Sequence, residues 1–243
     1  MRKRLFAFAL LALPAIAAPG DSLLGITLVQ GKNGASLGVP MQIVLLLTAL
    51  TMLPAILMSV TPFLRSIVVL HFLRQAIGTQ TTPSNQVLVG LALFVSLLVM
   101  QPVANEVYHK SWEPLEAGKI SASDAWDQAT PPIKTFLLKF AREKDIRLFI
   151  ELSHSAAPAK RDDVPMTALV PAYVISELKA SFQIGAVLFL PFLIIDLVVA
   201  SITLSVGMVQ LPPVMVSAPF KILLFVLVDG WNLVVGSLVK SFY

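Results

Sequence analysis

The chain has 243 residues, of which 56% are hydrophobic and only 13% carry a charge, whereas about a quarter of the residues of a soluble domain are charged. This composition excludes an ordinary soluble domain and indicates an integral membrane protein, and the absence of cysteine excludes disulfides and thiolate metal sites. The net charge of +4 does not indicate a nucleic-acid partner, because Arg2, Lys3 and Arg4 supply three of those charges and no basic cluster with interleaved aromatic residues follows.

The first residues have the pattern of a secretory signal peptide. A basic start at residues 2–4 is followed by a short apolar stretch and by small residues around Ala17. We predict a cleavable signal peptide over residues 1–17 and an exported lead-in over residues 18–40. An uncleaved first membrane helix is the alternative, although the apolar stretch is short for a helix that spans a bilayer.

Residues 41–103 are predicted to form the first membrane helical hairpin. Its two arms are apolar stretches, each close to the ~20 residues that a spanning helix needs. The connector at 61–85 holds Arg65 and Arg74 but no acidic residue, and short basic loops usually stay in the cytoplasm. We therefore expect a basic cytoplasmic loop at 61–85, with the amino end of the mature chain outside.

Charge is concentrated in residues 104–182, which contain 10 of the 18 basic and 11 of the 14 acidic residues. This concentration predicts a small helical periplasmic domain. The sequence Thr130-Pro131-Pro132 is typical of a helix start, with Thr130 as the cap and proline in the first turn. Apolar residues at helical spacing then extend the predicted helix over 133–152.

The second membrane hairpin is predicted over residues 183–243. A helical pattern beginning at Pro171 leads directly into its first apolar arm, and Pro191 should bend that arm. The uncharged loop at 207–213, which ends in two prolines, would form the tip of the hairpin. The sequence as a whole predicts an all-α membrane protein of bent transmembrane hairpins with a cleavable signal peptide.

Three charged residues interrupt the apolar arms of the second hairpin. They are Asp196 in the first arm and Lys221 and Asp229 in the second. An acidic residue at the centre of a membrane helix costs about 2.5 to 3.5 kcal/mol on insertion scales, so these residues should not face lipid. We predict buried intramembrane charges. A structural pair, with Lys221 as the candidate counter-charge, or a helix-end residue satisfied within an assembly is favoured over a proton or ion relay.

Residues that could support catalysis are sparse. His71, His109 and His154 are scattered, and no zinc-binding helix motif, nucleophile elbow or phosphate loop occurs. Two acids in membrane helices are also used by intramembrane aspartyl proteases, but the Gly-x-Gly-Asp context of those enzymes is missing here. We predict no enzymatic activity, no catalytic residue, no cofactor and no metal site.

Three blocks of the sequence, residues 63–94, 171–201 and 219–231, resemble the FliP/YscR/SctR family of type III protein export gate subunits. The blocks include these motifs: Phe63-Leu64-Arg65-Ser66, Gly78-Thr79-Gln80, Pro171-Ala172-Tyr173-Val174, Pro219-Phe220-Lys221 and Val228-Asp229-Gly230-Trp231. The signal peptide and the form of the Gly78-Thr79-Gln80 motif favour the flagellar machine over the related injectisome.

The resemblance implies a core subunit of the flagellar type III secretion export gate. Several copies, with five expected, would form a ring with FliQ and FliR, and FlhB and FlhA would lie nearby. The ring would be the conduit for unfolded flagellar export substrates. It would belong to the flagellar basal body in the bacterial inner membrane, with the assembled complex largely on the periplasmic side and in contact with membrane lipid.

The loop at 207–213 acquires a role through the same resemblance. In the family this loop carries a run of methionines that projects into the pore and closes around the passing chain. Here only Met208 keeps that identity, because Val209 and Gln210 stand where further methionines are usual. The resemblance implies a pore constriction formed by these three residues, although Gln210 would make it wetter.

Two other functions are compatible with parts of the sequence. A proton-coupled secondary transporter could use Asp196 and Asp229, but such transporters usually have paired internal repeats, and none is evident here. A simple membrane anchor for the outer domain would explain neither the acidic residues nor the hairpin tip.

Overall fold

The computed structural model describes residues 28–31, 34–37, 39–154, 158–207 and 212–243. These residues fall into two compact units, one ending at Pro54 and the other running from Ala55 to Tyr243. The predicted signal peptide at 1–17 and the predicted constriction residues at 208–210 lie outside the described residues.

The first unit holds two short strands, β1 (Leu28–Gly31) and β2 (Gly34–Leu37). They pair as an antiparallel hairpin in which Leu28 lies opposite Leu37. The sequence did not predict strands in this lead-in. Helix α1 (Val39–Val60) begins in the same unit and continues past Pro54. Its residues 41–60 are apolar enough for a membrane span, and none of them is buried.

A helix occupies most of the connector that was predicted as a loop at 61–85. Helix α2 (Phe63–Ile77) ends at Gly78, which takes the left-handed conformation (φ 87°) that glycine adopts most readily, and helix α3 (Asn85–Val107) follows. The loop prediction was wrong for residues 63–77, because the buried residues of α2 recur at helical spacing and give it one inward face. They are Phe63, Arg65, Ser66, Val69, Leu70, Leu73, Ala76 and Ile77.

The charged segment is helical, as predicted, but its helices have different limits. Beyond α3, a π-helical turn (Tyr108–Trp112) leads into α4 (Glu113–Glu116), and α5 (Ala122–Phe140) and α6 (Glu143–Leu152) follow. A capping box at Ser121 starts α5, because the Ser121 side chain accepts from the N–H of Asp124 and the Asp124 side chain accepts from the N–H of Ser121.

The predicted helix start at Thr130 was therefore wrong. The Thr130 hydroxyl donates to the carbonyl of Trp126 (2.9 Å), one turn earlier in α5, and does not cap a new helix. Helix α5 passes through Pro131 and Pro132, each of which removes only one backbone donor. Its buried face, which includes Pro132, Phe136 and Leu137, offsets that loss by packing into the core.

Helix α7 (Met166–Ser205) is 40 residues long and runs through the predicted boundary between domain and hairpin at residue 182. It is followed by α8 (Pro213–Leu227) and α9 (Gly230–Lys240), which are bent by 66° at the break between them. In the described part of the chain, three helices are long and apolar enough to cross a membrane, or four spans if the bent pair counts as one. The predicted helical membrane fold is confirmed in this respect.

Helices α2 and α7 form the centre of the second unit. Buried residues of α2, such as Leu70 and Leu73, belong to one apolar core with Leu169 of α7. The two helices approach closely at Gly185, where a Cβ atom would lie 2.5 Å from the ring of Phe72. This central pair brings distant charged residues together.

Candidate functional site

The most buried ion pair in the described part of the chain joins α2 to α7. Arg65 lies in the first turn of α2 and Glu177 in the first half of α7, and their side chains are 7% and 0% exposed. The Arg65 Nε atom donates to Glu177 Oε2 (2.7 Å), and a terminal nitrogen donates to Oε1 (2.5 Å). This two-pronged geometry is the strongest arrangement that arginine and a carboxylate form.

Arg65 also holds the residues that follow α9. Its other terminal nitrogen donates to the hydroxyl (3.0 Å) and the carbonyl (3.2 Å) of Ser241. Its guanidinium carbon lies 3.9 Å from the ring centre of Phe242, a cation–π distance. Lys139 of α5 donates to the Phe242 carbonyl (3.1 Å). Arg65 of α2 therefore joins α7 to the residues after α9, and Lys139 attaches α5 to the same residues.

Arg65, which the sequence placed in a basic cytoplasmic loop, is buried in a helix. Its helical spacing with apolar residues is the signal that could have indicated this burial. Arg74, the second residue assigned to that loop, is half-buried in the last turn of α2 and donates to Asn85 Oδ1 (2.7 Å) and the Pro83 carbonyl (3.3 Å). It fastens the end of α2 to the start of α3.

A second polar cluster attaches α6 to α7 beside Glu177. Asp145 is buried and accepts from the hydroxyl of Ser176 (2.6 Å) and the guanidinium of Arg142 (2.7 Å), while the backbone N–H of Arg142 donates to the Ser176 oxygen (3.0 Å). The sequence reasoning missed Asp145, Ser176 and Glu177. The local signal is the polar pair Ser176-Glu177, which follows the apolar residues at the start of α7.

The second ion pair joins α7 to α8 across the second hairpin. The ammonium of Lys221 donates to Asp196 Oδ2 (2.6 Å), and the hydroxyl of Ser217 donates to Oδ1 (2.5 Å). Ser217 and Lys221 are four residues apart and so lie on one face of α8. The Lys221 side chain is 4% exposed and that of Asp196 is 28% exposed. Both carboxylate oxygens have partners within the chain.

Asp229 is not brought to this cluster. It lies at the break between α8 and α9 with a left-handed backbone (φ 51°), and its side chain is exposed on the single chain. The side-chain amide of Asn232 donates to it (3.1 Å). Among the described residues no basic group pairs with Asp229, so the single chain does not supply the opposite charge that a buried carboxylate would need.

These clusters consist of ion pairs and hydrogen bonds that hold helices together. Among the described residues no group of three or more His, Asp or Glu side chains could hold a metal ion. The Nδ1 atom of His71 lies 2.8 Å from the carbonyl of Ile67 within its own helix. The ion pairs of Arg65 and Lys221 and the hydrogen bond between Ser176 and Asp145 are the contacts that join helices.

Comparison with known proteins matches most of the helical part of the chain to one family. The sequence profile of the FliP family matches residues 46–238. The chain is 50% identical to the flagellar biosynthetic protein FliP of Bacillus subtilis (strain 168) over 201 residues, 83% of this chain and 91% of that protein. It is 47% identical over 218 residues to the protein of that name from Cereibacter sphaeroides, covering 90% and 72% of the two chains. It is 49% identical over 212 residues to the flagellar biosynthetic protein FliP of Pectobacterium carotovorum subsp. carotovorum, which is 87% of this chain and 82% of that protein.

Proposed function

Because the chain belongs to the FliP family and is a membrane-associated component of the flagellar export apparatus, we propose that it forms the conduit of the type III secretion export gate. Unfolded flagellar proteins would cross the inner membrane through it. In this proposal, five copies form a ring with FliQ and FliR, and FlhB and FlhA lie nearby. The ring belongs to the basal body, largely on the periplasmic side, and performs no catalysis.

The observation that carries the proposal is the open apolar surface of the second hairpin. Large apolar side chains on α7 and α8 face outward from the single chain, and Leu197 and Val226 are 61% and 68% exposed. The polar residues Asp196, Ser217 and Lys221 are meanwhile paired inside the hairpin. Contiguous apolar surface of this kind marks an interaction with a membrane or with other subunits.

The loop between α7 and α8 supplies the constriction in this proposal. Met208, Val209 and Gln210 connect the end of α7 to Pro213, the first residue of α8. Copies of two apolar residues around a narrow pore exclude ions by dewetting. Gln210 adds a polar ring, which is wetter unless its amides bond to one another or to the backbone.

Ion leak through the assembled gate tests this constriction. The gate is purified with its co-expressed companions and reconstituted in vesicles, and Met208→Ala is expected to raise the leak of monovalent ions. Met52→Ala, a substitution in α1, is the control and should leave the leak unchanged. If Met208→Ala and Gln210→Met are both silent, the seal lies elsewhere.

The alternative of a proton-coupled transporter gains nothing from the geometry. Asp196 is bonded to Ser217 and Lys221, and Asp229 lies at the bend without contact to that cluster. Purification in mild detergent separates the two functions. A ring with its companions supports the conduit, whereas a monomer or dimer with solute-dependent proton flux contradicts it.

A further inference from the structure

Asp229 is a carboxylate of the second hairpin that forms no ion pair with the described residues of its own chain. It is exposed beside large apolar side chains, with Leu227 74% and Leu233 57% exposed, on a bent helix pair that is long and apolar enough to count as one membrane span. Its described hydrogen-bond donor is the amide of Asn232. A carboxylate in such surroundings should not face lipid, because an ionised group there is costly without an opposite charge.

The described basic residues outside 104–182 are few, and most have partners. Arg65 is bonded to Glu177 and Lys221 to Asp196, while Arg74 donates to two oxygens near the start of α3. Lys240, in the last turn of α9, is exposed, and its ammonium contacts no acceptor among the described residues. The second hairpin, as far as the structure describes it, therefore presents one unmatched acid and one unmatched cation.

The two unmatched charges cannot pair within one chain. Asp229 precedes the first residue of α9 and Lys240 is its last, so 11 residues of helix separate them, a length of about 16 Å at 1.5 Å per residue. The end that carries Lys240 is also fixed, because Arg65 binds the neighbouring Ser241 and stacks on Phe242. A second copy of the chain is the simplest source of the missing partner.

We propose that Asp229 of one copy forms an ion pair with Lys240 of the adjacent copy. An acid at one end of α9 and a cation at the other make a head-to-tail contact, and a contact of this kind closes into a ring when its rotation permits. The inference rests on the proposed ring, and it names the two residues that set the order of the copies. Burial between two subunits removes both charges from lipid.

Exchanging the charges tests the pair in the full gate. Asp229→Lys and Lys240→Asp, each alone, should lower the yield of ring co-purified with its companions by about tenfold or more, as loss of one partner of a buried pair does. The double variant should restore most of the yield. Glu151→Lys, a reversal at an exposed acid of α6, is the control. Rescue of Asp229→Lys by Arg74→Glu, or no rescue by Lys240→Asp, would overturn the assignment.

Cross-linking keeps the proposal testable if the charge variants fail to assemble. The native chain has no cysteine, so a copy with Asp229→Cys and a tagged copy with Lys240→Cys can be co-expressed and treated with a short bifunctional thiosulfonate. A mixed dimer within the ring is expected, and Glu151→Cys, at the exposed acid of α6, in place of Asp229→Cys should give none. Rings that form without the mixed dimer, and in which the thiol introduced by Asp229→Cys reacts with a membrane-impermeant reagent, would overturn the pair alone. A wild-type chain that forms no ring would instead contradict the proposed function.

Discussion

The two halves of helix α7 differ in how much of their surface the chain itself covers. The half before Gly185 contributes most of the buried residues of the helix, including Tyr173 and Glu177, and packs against α2, α5 and α6. The half after it buries only Phe192, Val199 and Thr203 within the described structure. The first half completes the fold of a single subunit, whereas the second half leaves apolar surface for other molecules to cover.

The acidic residues of the two halves differ in exposure in the same way. The side chain of Glu177 is fully buried against Arg65, whereas that of Asp196, which pairs with Lys221, is 28% exposed. A fully enclosed pair stabilises the subunit mainly because breaking it strands a charge. The exposed part of the Asp196 side chain can in addition contact the lipid or the subunit that covers the hairpin.

Removal of Glu177 should have the largest effect on the stability of the subunit. Glu177→Ala leaves the guanidinium of Arg65 buried without a carboxylate, which typically lowers the free energy of unfolding by about 3 to 5 kcal/mol. The measurement is thermal unfolding of the purified chain in mild detergent, followed by circular dichroism. Glu143→Ala removes the partner of Arg147 in an exposed pair and should change the stability by less than about 1 kcal/mol. Equal effects of the two variants would contradict the comparison.

The pair in the second half should respond asymmetrically to the loss of each partner. Asp196→Ala strands Lys221, which is almost completely buried, whereas Lys221→Met leaves an Asp196 carboxylate that solvent can still reach. We expect Asp196→Ala to lower the free energy of unfolding by about 2 to 4 kcal/mol and Lys221→Met by less. We also expect Asp196→Ala to reduce the yield of assembled complex. An unaltered yield with export abolished would support a relay role for Asp196.

The junction between the two halves should tolerate no added side-chain atom. Gly185→Ala places a Cβ atom against the ring of Phe72, which is itself held edge-on by Phe182 and Phe189, and overpacking of this kind costs about 1 to 3 kcal/mol. Phe72→Leu should recover part of the loss. The control is Gly90→Ala in α3, where an added Cβ atom would have no atom within 4 Å apart from the adjacent backbone of its own helix, and it should be neutral or slightly stabilising. A neutral Gly185→Ala in the same unfolding assay would show that α2 and α7 are not locked there.

A small effect of pH is expected far from both halves. The hydroxyl and the backbone N–H of Ser121 donate to Asp124 and lower the pKa of its carboxyl. The ionised carboxylate of Asp124 therefore stabilises the folded chain at any pH above the pKa that Asp124 has in the unfolded chain. This stabilisation is lost as the pH falls through the lower pKa of Asp124 in the folded chain. Wild type and Asp124→Ala, compared by thermal unfolding at neutral and acidic pH, should differ at neutral pH and converge in acid. A difference that grows in acid would contradict the capping role.

The parts of the fold that the sequence predicted correctly are those in which apolar residues are continuous. The long helices α1, α3 and α7 follow from runs of apolar residues, because the free energy of burying or inserting a helix is nearly additive along it. Helix α2 was predicted as a loop because two arginines broke the run, although the fold supplies a partner for each of them. The helical pattern that begins at Pro171 did predict that a helix continues across residue 182 into the hairpin.

By itself the sequence determined that the chain is a helical membrane protein of the FliP family, and that Asp196, Lys221 and Asp229 need explanation. Only the tertiary structure decided which charges meet. Arg65 and Glu177 are 112 residues apart in the chain and form the most enclosed pair of its described part, while Asp229, close in sequence to Lys221, stands apart from it at the bend. Hydrophobicity is a local property of each segment, but the pairing of charges depends on how distant helices cross, and that is set by the packing of the whole core.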